Sequence, residues 1–187
     1  MRTSGVLMPI SSLPSPYGIG TMGKSARKFV DFLVKGGQTY WQILPICPTS
    51  YGDSPYQSFS SFAGNPYFID LDTLVKEGLL TQDEINACYW GDNPTQVAYD
   101  AVFWYRFPLL KKADARGEYR EEQGYEKFCM DSWFWLNDYA FYMALKFHFD
   151  NKEWLAWPED PVPEERSGGV LPRGIEGRDR LLEVFTV

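Results

Sequence analysis

The chain has 187 residues, a formal net charge of −7, 44% hydrophobic and 17% aromatic residues. That length fits one ordinary domain or part of a larger protein. The acidic balance, with no long basic run, argues against nucleic acid or an anionic membrane as a partner, because both need clustered Lys and Arg. A neutral substrate stays compatible.

The N-terminal apolar run, Val6-Leu7-Met8, is ended by Pro9 and is too short for the core of a signal peptide. No stretch is long and apolar enough for a bilayer-spanning helix. Cys47, Cys88 and Cys129 are odd in number, far apart and form no CxxC pair. A disulfide framework or zinc site is not expected, and a reducing cytoplasm is the expected compartment.

Residues 5–10 form an apolar run, predicted as a buried strand. "SSLPSPYGIGTMG" follows as a loop punctuated by Pro and Gly. Ala26, Phe29, Val30, Leu33 and Val34 recur at helical spacing and predict a helix over residues 24–35, stopped by Gly36-Gly37. "TYWQILPI", residues 39–46, is apolar on both faces and predicts a strand at the centre of a parallel sheet. Strand, loop, helix, strand is the opening of an α/β fold.

"SYGDSPYQSFSSFAGNPYFIDLD", residues 50–72, comes directly after that strand. Active-site loops of parallel α/β folds sit at this end of the strands. Alternation of Tyr67, Ile69 and Leu71 with Phe68, Asp70 and Asp72 predicts a half-buried strand at its close. From Thr81 the texture turns helical. Thr81 and Glu84 have capping-box spacing, and residues 99–115 and 121–149 predict two further helices, the second strongly aromatic. From Pro161 the sequence has no clear period and much Gly, Pro and Arg.

The loop sets the chemistry. Tyr51 and Tyr56 offer flat apolar faces with a polar edge. Ser50, Ser54, Gln57, Ser58, Ser60, Ser61 and Asn65 supply neutral donors and acceptors, and Asp53 can accept from two hydroxyls at once. Sugar rings present C–H faces to stack and hydroxyls to bond, so this mixture suits a neutral polyhydroxylated ligand. The competing reading is that the rings are core and the hydroxyls satisfy turn backbone.

Other candidates favour structure over chemistry. The seven tryptophans, Trp41, Trp90, Trp104, Trp133, Trp135, Trp154 and Trp157, could stack on sugars, but packing between helices is the favoured role. Asp70 and Asp72 would share a strand face as a carboxylate pair, or simply face solvent. His148, the one histidine, sits between Phe147 and Phe149, where packing or capping is favoured over catalysis. No P-loop, GxGxxG, HExxH or EF-hand spacing occurs, so no phosphate site, metal or cofactor is expected.

"SGVLMPISSLPSPYGIGTMG", "TYWQILPICPTSYGDSPYQSFSSFAGNPYFIDLD" and "DYAFYMALK" together resemble the N-terminal part of the 4-α-glucanotransferase family, the amylomaltases or disproportionating enzymes. The resemblance covers residues 2 to about 160, and the long middle motif is highly specific. It implies the N-terminal portion of a (β/α)8 TIM barrel with an inserted helical subdomain. It implies an enzyme that cuts α-1,4 bonds of a maltodextrin or starch and passes the segment to another glucan's 4-hydroxyl. The implied mechanism is retaining: one Asp attacks the anomeric carbon, a Glu serves as acid and base, and a second Asp steadies the sugar. Such a pair stands about 5–5.5 Å apart.

By the same resemblance, Tyr56 stacks on a donor glucose, Ser54 bonds the same chain, and Tyr51 belongs to an accessory glucan site. Asp53 and Asn65 fall inside the motif as further substrate-binding residues. Gln57 and Ser58 shape the loop. The partner is a maltooligosaccharide or other α-1,4-glucan.

The family's three catalytic carboxylates lie beyond residue 187, so this chain is expected to be inactive alone and to fold poorly. The expected layout is residues 1–80 with the first barrel strands and the donor-side loop, residues 81–160 as an aromatic helical subdomain, and residues 161–187 as an aberrant tail. Read one nucleotide later, degenerate codons of the tail allow an amphipathic helical pattern like the family's. A frame change near Asp160 is one reading; a true end or a deliberate truncation is the other. A non-catalytic maltodextrin-binding module is the alternative function.

Overall fold

The computed structural model describes residues 2–117 and 123–157. The chain divides into two compact units, Met1–Glu118 and Tyr119–Val187. The tail over residues 161–187 lies outside the described residues.

In the first unit, β1 (Gly5–Leu7) pairs in parallel with β2 (Tyr40–Gln42), Val6 opposite Trp41. A Cβ on Gly5 would stand 2.6 Å from the Tyr40 carbonyl oxygen, so the close strand approach needs glycine. A parallel pair requires a crossover, and α1 (Lys24–Lys35) supplies it over the predicted span. Ala26 and Leu33 are buried, and Phe29 meets Trp41 edge-on at 5.0 Å. These join Ile10 and Leu13 in one apolar cluster. The helix ends as its two glycines predict. Gly37 has φ +66°, its N–H donates to the Val34 carbonyl at 3.0 Å, and the Gln38 N–H donates to that of Leu33 at 2.9 Å. This is a Schellman closure.

Several sequence expectations are corrected. Both strands are shorter than predicted, and neither is buried: Leu7 is 54% and Tyr40 60% exposed, with Ile43 and Ile46 also exposed. Burial on both faces needs layers and neighbouring strands, and among the described residues the sheet has only these two. Pro9 and Pro45 help to end the ladder, because proline has no N–H to donate.

The strand expected around residues 67–71 is absent. A 3-10 turn, Pro66–Phe68, leads into α2 (Leu71–Lys76). Asn65 Oδ1 accepts from the Tyr67 N–H at 3.0 Å and Pro66 presets φ, so local capping overrides the alternating pattern. The Asp70/Asp72 pair therefore does not share a strand face. Asp70 accepts from the Thr21 and Thr73 hydroxyls, each at 2.8 Å, and Asp72 from the Tyr17 hydroxyl.

α3 (Gln82–Asn86) carries the predicted Thr81–Glu84 capping box. α4 (Tyr99–Arg116) runs one residue past its predicted end. Its Leu109, Leu110 and Ala113 share a core with Tyr17, Leu71, Leu74, Leu80 and Ile85. α3 and α4 pack within the first unit. In the second unit, α5 (Gln123–His148) buries Leu136, Tyr139, Ala140, Phe141 and residues 143–145.

Candidate functional site

The loop after β2 is a closed structure. Thr49 and Ser58 form an antiparallel bridge at its base. Above it the Ser50 N–H donates to the Gln57 carbonyl at 2.9 Å. The tip is two consecutive turns: the Asp53 N–H donates to the Ser50 carbonyl and the Gln57 N–H to the Ser54 carbonyl, each at 3.0 Å. Gly52 (φ +90°) and Asp53 (φ +54°) are both left-handed. Glycine suits that conformation, and Asp is among the few other residues that tolerate it.

This frame holds two rings in water. Tyr51 is 99% exposed and Tyr56 73% exposed, so neither is core. The competing reading holds instead for two of the hydroxyls. Ser58 Oγ donates to the Ser60 carbonyl at 2.7 Å, and Ser60 Oγ accepts from the N–H groups of Phe62 and Ala63. Ser54 Oγ makes one long contact, accepting from the Tyr56 N–H at 3.4 Å.

Under the loop lies a cavity of about 110 Å³, walled by Thr49, Asp53, Asn65, Tyr67 and Tyr99 and by the segments that follow the two parallel strands. That is the end of an α/β sheet where ligands bind. Asp53 receives the Thr49 hydroxyl at 3.4 Å. Burial pushes its carboxyl above the usual range, the Thr49 bond opposes this, and Asp100 adds to it. Burial also raises the hydroxyl pKa values of Tyr67 and Tyr99, with the Asp53 charge as a further cause at both.

The candidate residues therefore split. Tyr51, Ser54 and Tyr56 stand on the loop tip. Asp53 and Asn65 line the cavity beneath. Asn65 is only 7% exposed and its Oδ1 is engaged as a cap. His148, in the second unit, is exposed and packs edge-on against Phe149 at 4.9 Å, as the sequence favoured. Cys47, Cys88 and Cys129 are free thiols.

The sequence reading missed Thr49, Tyr67 and Tyr99 as cavity walls. Thr49 and Tyr67 both sit within the long motif, which was the available signal. Tyr99 carries none, being the first residue of α4. It also missed Arg106, fully buried in α4, whose Nη2 donates to the Ile69 carbonyl. Among the described residues its Nε and Nη1 have no partner. Burial lowers its pKa to about 10, while Asp70 and Tyr67 act to raise it.

Chemically, the arrangement can stack a neutral ring and bond its hydroxyls. The comparisons with known proteins agree with that chemistry. A sequence model described as 4-alpha-glucanotransferase matches residues 8–168. A 4-alpha-glucanotransferase of Streptococcus pneumoniae is 54% identical over 182 residues, 97% of this chain and 36% of the relative. One from Clostridium butyricum is 50% identical over 153 residues, 82% of this chain and 31% of the relative. Among solved structures, the amylomaltase from Streptococcus agalactiae in complex with acarbose superposes with a TM-score of 0.84 at 39% identity, covering 100% of this chain and 38% of that one. The chain thus spans about a third of the length of the curated relatives it matches. With most of its residues inside the family match, the chain belongs to the 4-alpha-glucanotransferase family.

Proposed function

We propose that this chain is the N-terminal, glucan-holding part of a 4-alpha-glucanotransferase that acts on maltodextrins by retaining transglycosylation in the cytoplasm. The observation that carries this is the pair of solvent-held rings, Tyr51 and Tyr56, on a loop bridged at its base beyond the ends of two parallel strands. Tyr56 stacks on a donor glucose, Ser54 bonds the same chain, and Tyr51 serves an accessory site. Asp53 and Asn65 line the floor beneath them.

On this reading β1, α1 and β2 open a (β/α)8 barrel, and residues 1–80 carry its donor-side loop. The helices that follow are an insertion. The Asp, Glu and Asp that perform the chemistry lie on the part of the family's length that this chain does not span. The chain alone then binds glucan without cutting it, and no cofactor is used. Transfer in the whole enzyme requires an acceptor sugar to outcompete water at the covalent intermediate, which is the reason to line the cleft with rings.

The test is a titration of the purified chain with maltoheptaose, alongside a maltotriose disproportionation assay. We expect saturable binding, weakened about tenfold by Tyr56→Ala, equal to ~1.4 kcal/mol, and no glucose above a buffer blank. Glucose release would overturn the assignment of the catalytic carboxylates to the unspanned length. Absence of binding would overturn the glucan-holding role.

A second reading is a non-catalytic maltodextrin-binding module. It is favoured by one observation: the loop belongs to a unit with its own buried core around Leu71, Leu74 and Ile85. The two readings part on folding: the fragment is expected to fold poorly and associate, whereas a well-folded monomer that binds maltoheptaose with no partner would support the module.

A further inference from the structure

Asp53 differs from its loop neighbours in where its side chain goes. Tyr51 and Tyr56 project into water, whereas the Asp53 carboxyl turns down into the cavity with Asn65, Tyr67 and Tyr99. There it takes the hydroxyl of Thr49, the residue that bridges to Ser58. The loop is therefore tied by backbone, from Ser50 to Gln57, and Asp53 adds a long side-chain contact to Thr49 at 3.4 Å. Its backbone matters as well. Asp53 is the second of two left-handed residues, and its own N–H closes the first turn of the tip directly before Ser54 opens the next. A residue that cannot hold positive φ would open the junction between the two turns.

We propose that Asp53 is the positioning residue of the glucan loop: anchored in the cavity with a left-handed backbone, it fixes the turn over residues 54–57 that carries Ser54 and Tyr56. This rests on the reading of the loop as glucan-binding. Asp53 acts through that turn and need not touch the sugar.

The anchor is also sensitive to protonation. The groups that face Asp53 are the Thr49 hydroxyl on its own loop, Tyr67 on the 3-10 turn, and Tyr99 and Asp100 at the start of α4. Burial is the larger cause and Asp100 a lesser one, and both disfavour the carboxylate. The sign follows from linkage. A carboxyl whose pKa is raised in the seated state holds its proton more tightly there than when released. The seat is firmest at acid pH and weakens as pH rises from the ordinary carboxylate range through the raised value.

The test is a sugar-free NMR titration of the loop amides, with maltoheptaose affinity measured in parallel. We expect the Ser54, Tyr56 and Gln57 amides to titrate together, with a midpoint above an ordinary aspartate. Asp53→Asn keeps the left-handed preference and an acceptor for Thr49 without a charge. It should abolish that titration and leave the amides near their acid-form positions. Asp53→Ala should speed exchange of the Gln57 amide and weaken glucan binding about tenfold. The proposal is overturned if the wild-type loop amides do not titrate. It is equally overturned if Asp53→Asn loses glucan as fully as Asp53→Ala with the loop unchanged, which would make Asp53 a sugar ligand. If the amides titrate as stated but no glucan binds, the loop assignment stands and the glucan reading fails.

Discussion

Arg106 is the residue whose placement is hardest to sustain. It is fully buried in α4, with one nitrogen on the Ile69 carbonyl and two others without a partner among the described residues. Desolvating a guanidinium costs several kcal/mol in a real protein interior. The charge survives because Asp70 and Tyr67 act in its favour, and its pKa settles at about 10, still far above neutrality. Asp70 in turn receives Thr21 and Thr73, so Arg106 joins α4 to the entry of α2 through a charge and a carbonyl. Arg106→Ala should therefore destabilise the chain by about 1–3 kcal/mol in urea denaturation, because it leaves the buried Ile69 carbonyl without its donor. A change under about 0.5 kcal/mol, the range of ordinary surface substitutions, would show that the pairing contributes little. Nothing in "VFWYRFPLL" announces this, since a lone Arg among aromatics reads as a solvent-facing residue. For Tyr51 and Tyr56 the composition left a core role and an exposed one both open, and the structure places both rings in water.

At the scale of elements, what is local was legible and what depends on neighbours was not. α1 and its glycine stop, the Thr81–Glu84 box and the span of α4 all follow from contacts within a few residues. The closing strand of the loop failed because Asn65 and Pro66 set a turn that happened to share the period of a strand. α3 has only five residues, too short to stand alone. Beyond its cap, Glu84 meets Arg116 of α4 through two bonds of 2.7 Å. The Arg116 bond first, and the Thr81 N–H second, lower the Glu84 pKa from 4.5 to about 2. The contribution is therefore fully present above pH 4.5 and is lost as pH falls toward 2. Thermal midpoints should drop across that window in the wild type, and Glu84→Gln should flatten that part of the curve. An unchanged acid limb in Glu84→Gln would mean that the pair is solvent-screened to insignificance.

At the scale of the molecule, the parallel order of the opening strands was legible and their burial was not. A continuous apolar run such as residues 39–46 reports the surroundings it evolved in, and those surroundings are not among the described residues. Leu7, Tyr40, Ile43 and Ile46 are left exposed along the strand pair, and Val30, Phe32 and Val34 along α1. Apolar surface on that scale is a site for association. The purified chain should bind the dye ANS and sediment as larger species at rising concentration. A dye-silent monomer throughout would show that these faces are covered in solution.

The exposure of Tyr51 and Tyr56 has a thermodynamic counterpart. Each ring is already wet, and each is already held by a loop closed at its base. A ligand that covers both has little backbone to order and two hydrated faces to strip. Its binding would therefore announce itself by a fall in heat capacity, larger for a glucan long enough to reach both rings than for one that reaches only Tyr56.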